Sequence, residues 1–505
     1  MKGRVSDCDI PLTPALSREG RGRMVRTKGA PQLSDYHFVI NLRNETFNES
    51  FRKWLKPYAY LLAPNRASRA ELELARNVRK SRYQLYADNG NFALIGQIVK
   101  KYAPDASTLL QAVRKEEKKL RRQARYGELS KPLAAAIVEL AGKAQSEALE
   151  NREKGEAALK KMQLAIGPTR MIGVEDTTMA LWLSLNLEPE YLPYTRNDYR
   201  RINEVVALRA AAERQALPAE LAGSYYPVAS ALSYDIAYDA GQVFAEQGLE
   251  RVSMGFGAYM ADDHYTDHVI IRDRLIELKG LMPNRYLRTA LAAKGFWDGY
   301  RKKAGRPPEA FHFLGLGAPI MVGLVALSSW GTTELTFDAT SPIKDAVEGT
   351  LYVSKPAYLK IRTQKAALRL ASGKGKSWNC PCPFCRDFVK KHPFDYEKGS
   401  AWYKAKPADA KAADLAPGGA LYSAYPLLSE PKGGELRKAV TFTRMGHNHW
   451  VLQEIMAELK KNATSLAKLK KHIEGVVSAY EGNTASDTFA AAVRFAFKLA
   501  AGEKI

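Results

Sequence analysis

Three of the four cysteines lie within six residues, in the segment WNCPCPFC from Trp378 to Cys385. Thiolates at Cys380, Cys382 and Cys385 with one histidine would form a closed tetrahedral Cys3His site, the ligand set typical of structural zinc. A disulfide framework is disfavoured, because pairing would leave an odd cysteine in a large chain that does not need cross-links. Three small buried cysteines are the plainer alternative, and their close spacing favours the metal site over it.

The fourth zinc ligand must come from a histidine elsewhere in the chain. We favour His447 in RMGHNHW, because it stands at the start of an apolar run with helical spacing. His449 and His392 stay open as alternatives. The remaining cysteine, Cys8, belongs to an N-terminal segment that we expect to be disordered.

Three aspartates could do chemistry of another kind. Asp88, Asp176 and Asp338 each lie at or just after the end of a short apolar run. If these runs are parallel strands, their carboxyl ends meet at the mouth of a barrel, where such folds place their active sites. A helix N-cap or turn is the alternative for any single aspartate.

The runs that would position these aspartates alternate with helical segments, which indicates parallel βαβ units. A chain of 505 residues is long enough for two or three domains or for one large barrel with insertions. We predict an α/β fold, a (β/α)8 TIM barrel with an inserted Cys3His zinc-binding subdomain near the C-terminus. The predicted strand segments are HFVINL, RYQLYAD, RMIGVED, RVSMGFGAYM, AFHFLGLG and ELTFDAT.

The net charge is strongly positive, with 76 Lys and Arg against 54 Asp and Glu, a balance of +22. Such an excess favours a polyanionic partner, and nucleic acid is the first candidate. A helical insertion at about residues 105–165 carries a dense basic stretch that could follow a phosphate backbone. A solvated helix face, with Glu116 and Glu117 as local partners, is an equal alternative. The basic residues are Arg114, Lys115, Lys118, Lys119, Arg121, Arg122 and Arg125.

A glycine-bearing strand end, GFGAY, would let a flat ligand approach the backbone at Gly255 and Gly257. The residues that follow offer a second, weaker metal hypothesis, because acids and histidines are common in loops of this kind. They are Asp262, Asp263, His264 and His268.

The expected organisation has four parts: a disordered tail at 1–30, a barrel at 31–375, a zinc-binding subdomain at 376–450, and C-terminal helices at 451–505 that pack on the barrel. We expect 395–434 to be an irregular insertion. Residues 1–23 resemble upstream sequence read in frame, with Met24 as a plausible start. No secretory signal or membrane span is recognisable, because the apolar run at 313–330 is broken by glycines and a proline, so we expect a cytoplasmic protein without a membrane partner.

An ordered set of motifs resembles the tRNA-guanine transglycosylase superfamily, from about residue 36 to about residue 460. The motifs are LYADNGNF, MGFGAY, HFLGLGAP, LTFDATSPIKDAVEG, CxCxxC and a later HN. The resemblance implies a (β/α)8 barrel, a pentosyltransferase activity and a structural zinc ion. The family's zinc ligands match Cys380, Cys382, Cys385 and His447.

The same resemblance implies roles for the aspartates. Asp338 in FDATSP matches the nucleophile, and Asp88 in ADNGNF matches the aspartate used in acid/base work. Breaking a glycosidic bond passes through an oxocarbenium-like transition state that one carboxylate can capture, while a second manages the base protons. Asp176 in GVEDTT matches the aspartate that reads the polar edge of the purine.

Further matches concern base binding. Phe92 falls on the aromatic that stacks on the base, and the backbone of Gly255, Phe256 and Gly257 falls on the strand end that contacts it. Lys344 keeps one positive charge where the tRNA enzymes carry an arginine-rich PTRNAR stretch, here replaced by SPIKDAV.

Departures from the tRNA enzymes point to one branch of the superfamily. Ala93 replaces the glutamine after the aromatic, and YPVAS at 226–230 lacks a purine-contacting glutamine. The best match is the DNA-guanine transglycosylase of bacterial 7-deazaguanine DNA-modification systems, which inserts 7-cyano-7-deazaguanine into DNA and implies an ATPase partner. The alternatives are a tRNA-guanine transglycosylase of the queuosine or archaeosine type and a non-catalytic homologue that binds nucleic acid.

Overall fold

The computed structural model describes residues 34–505 except 121–122, 263, 375–376, 406–411 and 485. The predictions for Cys8, for a disordered tail at 1–30 and for a start at Met24 lie outside the described residues. Asp263, Arg121 and Arg122 lie outside them as well.

Eight parallel strands form the centre of the fold, and further strands outside it form antiparallel pairs. The strands in chain order are β1 (Asp35–Asn41), β2 (Ala59–Leu62), β3 (Gln84–Ala87), β4 (Arg170–Glu175), β5 (Tyr225–Ala229), β6 (Arg251–Gly255), β7 (Tyr265–Ile271), β8 (Arg274–Pro283), β9 (Ala310–Leu314), β10 (Glu334–Asp338), β11 (Thr350–Val353) and β12 (Leu359–Arg362). A closed barrel forms in the order β1-β10-β9-β6-β5-β4-β3-β2, while β7 with β8 and β11 with β12 are antiparallel pairs. The predicted (β/α)8 barrel is confirmed.

Helices connect the strands and cover the barrel. They are α1 (Glu49–Leu55), α2 (Arg69–Lys80), α3 (Asn91–Leu120), α4 (Lys131–Ala165), α5 (Thr178–Ser184), α6 (Arg196–Gln215), α7 (Ala219–Ala222), α8 (Tyr234–Glu246), α9 (Gly257–Ala261), α10 (Asn284–Ala304), α11 (Pro319–Ser328), α12 (Ser341–Val347), α13 (Thr363–Ala371), α14 (Pro383–Lys391), α15 (Tyr396–Ala405), α16 (Gly434–Asn462), α17 (Leu466–Asn483) and α18 (Asp487–Ala500). Within the described part of the chain, no helix is both long enough and apolar enough to cross a membrane.

Two barrel strands were not among the predicted segments. Strand β2 has only four residues, AYLL, which is too short for a periodic signal. Strand β5, YYPVA, contains Pro227, and a proline normally argues against an interior strand because it removes a ladder hydrogen bond.

Side chains from alternate strand positions fill the barrel. Val39, Tyr86, Ile172 and Tyr226 form a buried interior cluster. Beneath it, the Arg170 guanidinium pairs with Glu334 at 2.7 Å, so the base of the barrel is held by charge-assisted hydrogen bonds.

The insertion between β3 and β4 is a pair of long antiparallel helices, α3 and α4, which we call the helical arm. Lys101 and Tyr102 of α3 both bind Glu147 of α4, at 2.5 and 2.8 Å. Nearer the far end, Glu116 binds Ser130. We call the described residues at this end, 114–120 and 123–130, the arm tip. The arm therefore begins beside the barrel mouth at α3 and returns to it through α4.

The C-terminal region differs in two details from the predicted organisation. Residues 395–434 are not wholly irregular, because α15 spans Tyr396–Ala405. Helix α16 runs from Gly434 to Asn462 and so crosses the expected boundary at residue 450. The last helix, α18, follows Ser486, whose side chain accepts a hydrogen bond from the Phe489 N–H.

Candidate active site and metal centre

A cavity of about 520 Å³ opens at the carboxyl ends of the barrel strands. Of the site residues predicted from sequence, it brings together Asp88, Phe92, Gly255, Gly257, Asp338 and Lys344. Asp176 and Phe256 are not among the residues that line it. Glu175, which the sequence analysis did not single out, lines it instead.

Asp338 is the last residue of β10 and is only 6 % exposed. Its Oδ1 accepts a hydrogen bond from the Gly315 N–H at 3.2 Å. Gly315 has φ +75°, and a Cβ there would lie 3.0 Å from the Gly257 nitrogen, so only glycine fits this approach. The backbone after β9 thereby orients the Asp338 carboxylate toward the cavity.

His312 is a second polar contact of Asp338, and sequence reasoning missed it. The imidazole is fully buried in β9, and its Nε2 lies 3.4 Å from Asp338 Oδ1. Its Nδ1 lies 2.8 Å from Thr336 Oγ1. With the Thr336 hydroxyl donating to Nδ1, the ring proton is on Nε2 and faces the carboxylate. In the sequence, AFHFLG resembles a buried strand with an incidental histidine.

Asp88 follows β3 directly, and its backbone N–H binds the Leu62 carbonyl at 2.8 Å. Burial, and then the neighbouring charge of Asp338, raise the pKa of Asp88 to about 6. A carboxyl group with this pKa can both donate and accept a proton near neutral pH.

Glu175 is held by two asparagines of the segment DNGNF that follows β3. The side-chain amides of Asn89 and Asn91 each donate to Glu175 Oε2 at 3.1 Å. Glu175 Oε1 lies on the Gly255 side, 3.8 Å from where a Cβ at Gly255 would be. Burial raises the pKa of Glu175 to about 7. One carboxylate oxygen is therefore fixed and the other faces the mouth.

A bulge near the end of β4 explains why Glu175 rather than Asp176 enters the cavity. The β4–β5 register shifts between Ile172 and Glu175. At this point a Cβ on Gly173 would lie 2.0 Å from the Tyr225 ring, and the Tyr225 hydroxyl accepts the Val174 N–H at 2.9 Å. A bulge changes the face to which the following side chains point.

Asp176 is instead used outside the cavity, which corrects its expected placement. Its Oδ1 accepts the Thr178 N–H at 2.9 Å at the start of α5, and its Oδ2 lies 3.7 Å from Arg152 of α4. This is the helix-terminus role that was the alternative interpretation for a single aspartate.

Phe92 lies at the mouth with 59 % of its surface exposed, unusual for a large aromatic side chain. Its ring lies against Gly257, where a Cβ would be 3.1 Å away. Phe256, in contrast, is fully buried, and its N–H binds the Leu314 carbonyl at 2.7 Å. Phe256 therefore supports the glycine strand end from behind.

Positive side chains lie at the edge of the cavity. Lys344 of α12 is exposed and forms no ion pair with any described residue. Arg43 and Arg66 also line this edge, although Arg43 pairs with Glu71 at 2.5 Å. The edge is therefore suited to an anionic ligand.

The metal centre is separate from this cavity. The His447 Nδ1 lies 3.3, 3.4 and 3.5 Å from the sulfurs of Cys380, Cys382 and Cys385. Bonds of about 2.3 Å to sulfur and 2.0 Å to nitrogen at tetrahedral angles would give a spacing of about 3.5 Å. The four ligand atoms all lie within 4.8 Å of one another, so the group fits a zinc site.

The choice among the three histidines is also clear from the structure. His447 Nε2 faces the Tyr352 carbonyl at 2.9 Å, which leaves Nδ1 free for a metal. His449 is buried away from the sulfurs, with Nδ1 bound to the Met445 carbonyl, and burial lowers its pKa to about 4. His392 packs on the Phe388 ring outside the cluster.

The neighbouring residue of α16 ties the metal centre to the cavity wall. Asn448 donates to the carbonyls of Pro342 and Thr350, both at 3.1 Å, and accepts the Tyr352 N–H at 2.9 Å. The Tyr352 hydroxyl binds Asp345 of α12 at 2.6 Å. Helix α12, which carries Lys344, is thus anchored to the helix that carries His447.

At the second predicted metal site, the structure has a network of ion pairs. His264 Nδ1 lies 2.8 Å from Glu188 and 3.2 Å from Asp262. The buried Arg288 guanidinium pairs with the same two carboxylates, which supplies the positive charge a metal would bring. His268 pairs with its neighbour Asp267 instead.

Comparisons with known proteins identify no family for this chain. A scan against protein-family models finds no match, and a search of curated proteins finds none either. The resemblance to the tRNA-guanine transglycosylase superfamily therefore stays a prediction.

Proposed function

We propose that the protein is a DNA-guanine transglycosylase that exchanges guanine for 7-cyano-7-deazaguanine. The observation that carries the proposal is that Asp338 and Asp88 face one cavity beside the exposed ring of Phe92. Two carboxyl groups and a stacking surface are what base exchange at C1′ requires.

In this mechanism the Asp338 carboxylate forms a bond to C1′ as the bond from C1′ to N9 of guanine breaks. Asp88, whose pKa of about 6 suits the task, donates a proton to the departing base. The incoming base then returns a proton to Asp88 and attacks C1′, which releases Asp338. The Gly315 N–H would keep the Asp338 carboxylate in place throughout, with His312 Nε2 3.4 Å from the same oxygen.

Base recognition would fall to Glu175 and Phe92. The free Oε1 of Glu175 can accept hydrogen bonds from N1–H and the exocyclic amine, the edge that distinguishes guanine from adenine. Phe92 would stack on the extruded base, with a gain on the order of 1 to 3 kcal/mol. Glu175 takes the role that the resemblance had assigned to Asp176.

Zinc held by the Cys3His group would be structural, since none of its four ligands is among the residues that line the cavity. DNA is preferred to tRNA because SPIKDAV offers Lys344 alone, without arginines that can form paired hydrogen bonds. An ATPase partner stays part of the proposal.

The test is base exchange with purified protein. Labelled guanine or 7-cyano-7-deazaguanine is offered with duplex DNA and separately with bulk tRNA, beside Asp338→Ala. Label entering DNA only with the intact aspartate is the expected result. Label entering tRNA would assign the protein to the tRNA enzymes, and silence on both substrates, with the ATPase partner present, would favour a non-catalytic homologue.

A further inference from the structure

We propose that the arm tip binds backbone phosphates of duplex DNA to one side of the target nucleotide. This inference rests on the proposed function for the identity of the duplex. It concerns a surface outside the cavity, formed by the α3 side of residues 114–119.

The first argument is that three cations on the α3 side of the tip have no ion-pair partner among the described residues. Arg114, Lys115 and Lys118 are exposed, and none of them forms an ion pair with any residue in the described ranges. Elsewhere on the arm, lysines such as Lys101 and Lys143 are paired with glutamates at 2.5 and 2.7 Å. The tip thus groups three such cations within five residues of α3, whereas Lys100, Lys131 and Lys161 of the arm, which also have no described ion-pair partner, are far apart in the chain.

The second argument is that the nearby acids have other partners. Glu116 accepts hydrogen bonds from the Ser130 N–H and hydroxyl, at 2.9 and 2.7 Å. Glu117 accepts the Ala124 N–H at 3.1 Å and the Tyr191 hydroxyl at 2.9 Å. These carboxylates therefore hold the turn of the arm together, and the charge of Lys119 acts on Glu116, so the proposed phosphate contacts fall to Arg114, Lys115 and Lys118.

The residues around the tip also favour phosphate binding on the α3 side. The groove beside Arg114 is lined by small, apolar and amide side chains and includes no carboxylate among its described lining residues. A second cleft, beside Arg125, carries four carboxylates, those of Glu128, Glu190, Asp267 and Glu277. A phosphate backbone would be repelled from that cleft and attracted to the α3 side.

The spacing matches a duplex that extends from the mouth. Phe92 is in the first turn of α3, and Arg114, Lys115 and Lys118 follow 22 to 26 residues later, at most roughly 33 to 39 Å away along a helix that rises 1.5 Å per residue and contains Pro104. At about 3.4 Å per base pair this distance corresponds to about ten to eleven base pairs. The tip would therefore reach phosphates about one helical turn from the extruded base.

The test compares Lys115→Gln/Lys118→Gln with a matched control, Lys468→Gln/Lys471→Gln on α17. The control lysines are also exposed and form no ion pair with a described residue. Fluorescence anisotropy measures binding to a 40-base-pair and a 10-base-pair duplex, each with guanine at its centre, over a range of salt concentrations. The short duplex offers about 17 Å on either side and ends before the tip.

On the long duplex, the slope of log affinity against log salt should fall by about 1.8 in the tip variant and stay unchanged in the control. On the short duplex, the tip variant should bind like the wild type. Equal binding of wild type and tip variant to the long duplex would overturn the inference, as would an equal loss on both lengths. A loss confined to bulk tRNA would also overturn it and point to an RNA partner.

The proposed function is judged by a different readout. Length-dependent binding without base exchange would leave the arm assignment standing and remove the transglycosylase. If base exchange occurs but the tip variant binds the long duplex like the wild type, the transglycosylase proposal stands and the arm assignment falls. Asp338→Ala should bind the long duplex as tightly as the wild type, because it leaves the arm unchanged.

Discussion

The metal centre and the barrel mouth both gather ionisable groups in buried or half-buried positions, but the two regions compensate their charges differently. At the metal centre three thiols surround one imidazole nitrogen, so a divalent ion can balance them. At the mouth, Asp88 and Glu175 are half-buried with their pKa values raised to about 6 and 7, and the Glu175 carboxylate accepts hydrogen bonds from two side-chain amides. The first arrangement would stabilise the fold once a metal is bound, whereas the second places ionisable groups where they cost stability, as is usual for groups kept for function.

Replacing the proposed nucleophile should have the largest effect and should separate the two regions. We expect Asp338→Ala to lower base exchange by at least about 10³-fold, because the proposed mechanism then lacks the carboxylate that bonds to C1′. Bound zinc and thermal stability should match the wild type. A variant that still exchanged bases at a tenth of the wild-type rate would exclude Asp338 as the nucleophile.

Opening the metal centre should have the opposite profile. We expect Cys382→Ser to reduce zinc from about one ion per chain toward zero and to lower the free energy of unfolding by about 3 kcal/mol or more. Metal analysis and urea denaturation measure these effects. Cys8→Ser is the matched control and should change neither. An unchanged zinc content in Cys382→Ser would contradict the ligand assignment.

Two adjacent acids offer a sharper test within the mouth. Glu175→Gln should lower kcat/KM for base exchange about 100-fold, since its Oε1 would lose the charge that reads guanine. Asp176→Asn should change it less than about threefold, because its side chain caps α5 outside the cavity. The opposite ranking would restore the role that the family resemblance gives to Asp176.

The smallest effect is on stability and concerns pH. Asp88 has a pKa of about 6 in the fold against about 3.9 when unfolded, so the folded protein keeps a proton that the unfolded chain has lost. This contribution to stability is fully present below about pH 4 and is lost as the pH rises through 6. Asp88→Asn should therefore be about 1 to 2 kcal/mol more stable than the wild type at pH 7.5, with no gain at pH 4.

Urea denaturation at the two pH values measures this difference. Lys468→Gln provides a control for a general change of net charge and should show the same stability at both. An equal gain for Asp88→Asn at pH 4 and pH 7.5 would mean that packing, and not the buried charge, is responsible.

The sequence predicted the metal centre well because cysteine type and spacing carry most of the information. His447 could be chosen over His449 and His392 only as a preference, and the structure confirms it through the sulfur distances. The barrel was also predictable from repeated apolar runs. The short β2 and the proline-bearing β5 were not predicted, because neither has the pattern by which strands are recognised.

The mouth was harder to predict, because the direction of a side chain depends on local backbone geometry. Asp88 and Asp338 face the cavity as expected. Because of the bulge in β4, however, Glu175 lines the cavity in place of Asp176. The cause of the bulge, Gly173 against the Tyr225 ring, involves residues 52 positions apart. Contacts across that separation have no signature in a single sequence.

The contacts of Tyr352 bear on how the protein matures. Its carbonyl faces His447, its N–H binds Asn448, and its hydroxyl reaches Asp345 in α12, so one residue joins the metal helix to the cavity wall. None of the four metal ligands belongs to a barrel strand. We therefore expect chains made in zinc-poor cells to form the closed barrel while helix α12, at the cavity wall, is not yet held in position. Such chains would accumulate in an inactive form, and zinc supplied after synthesis would activate them.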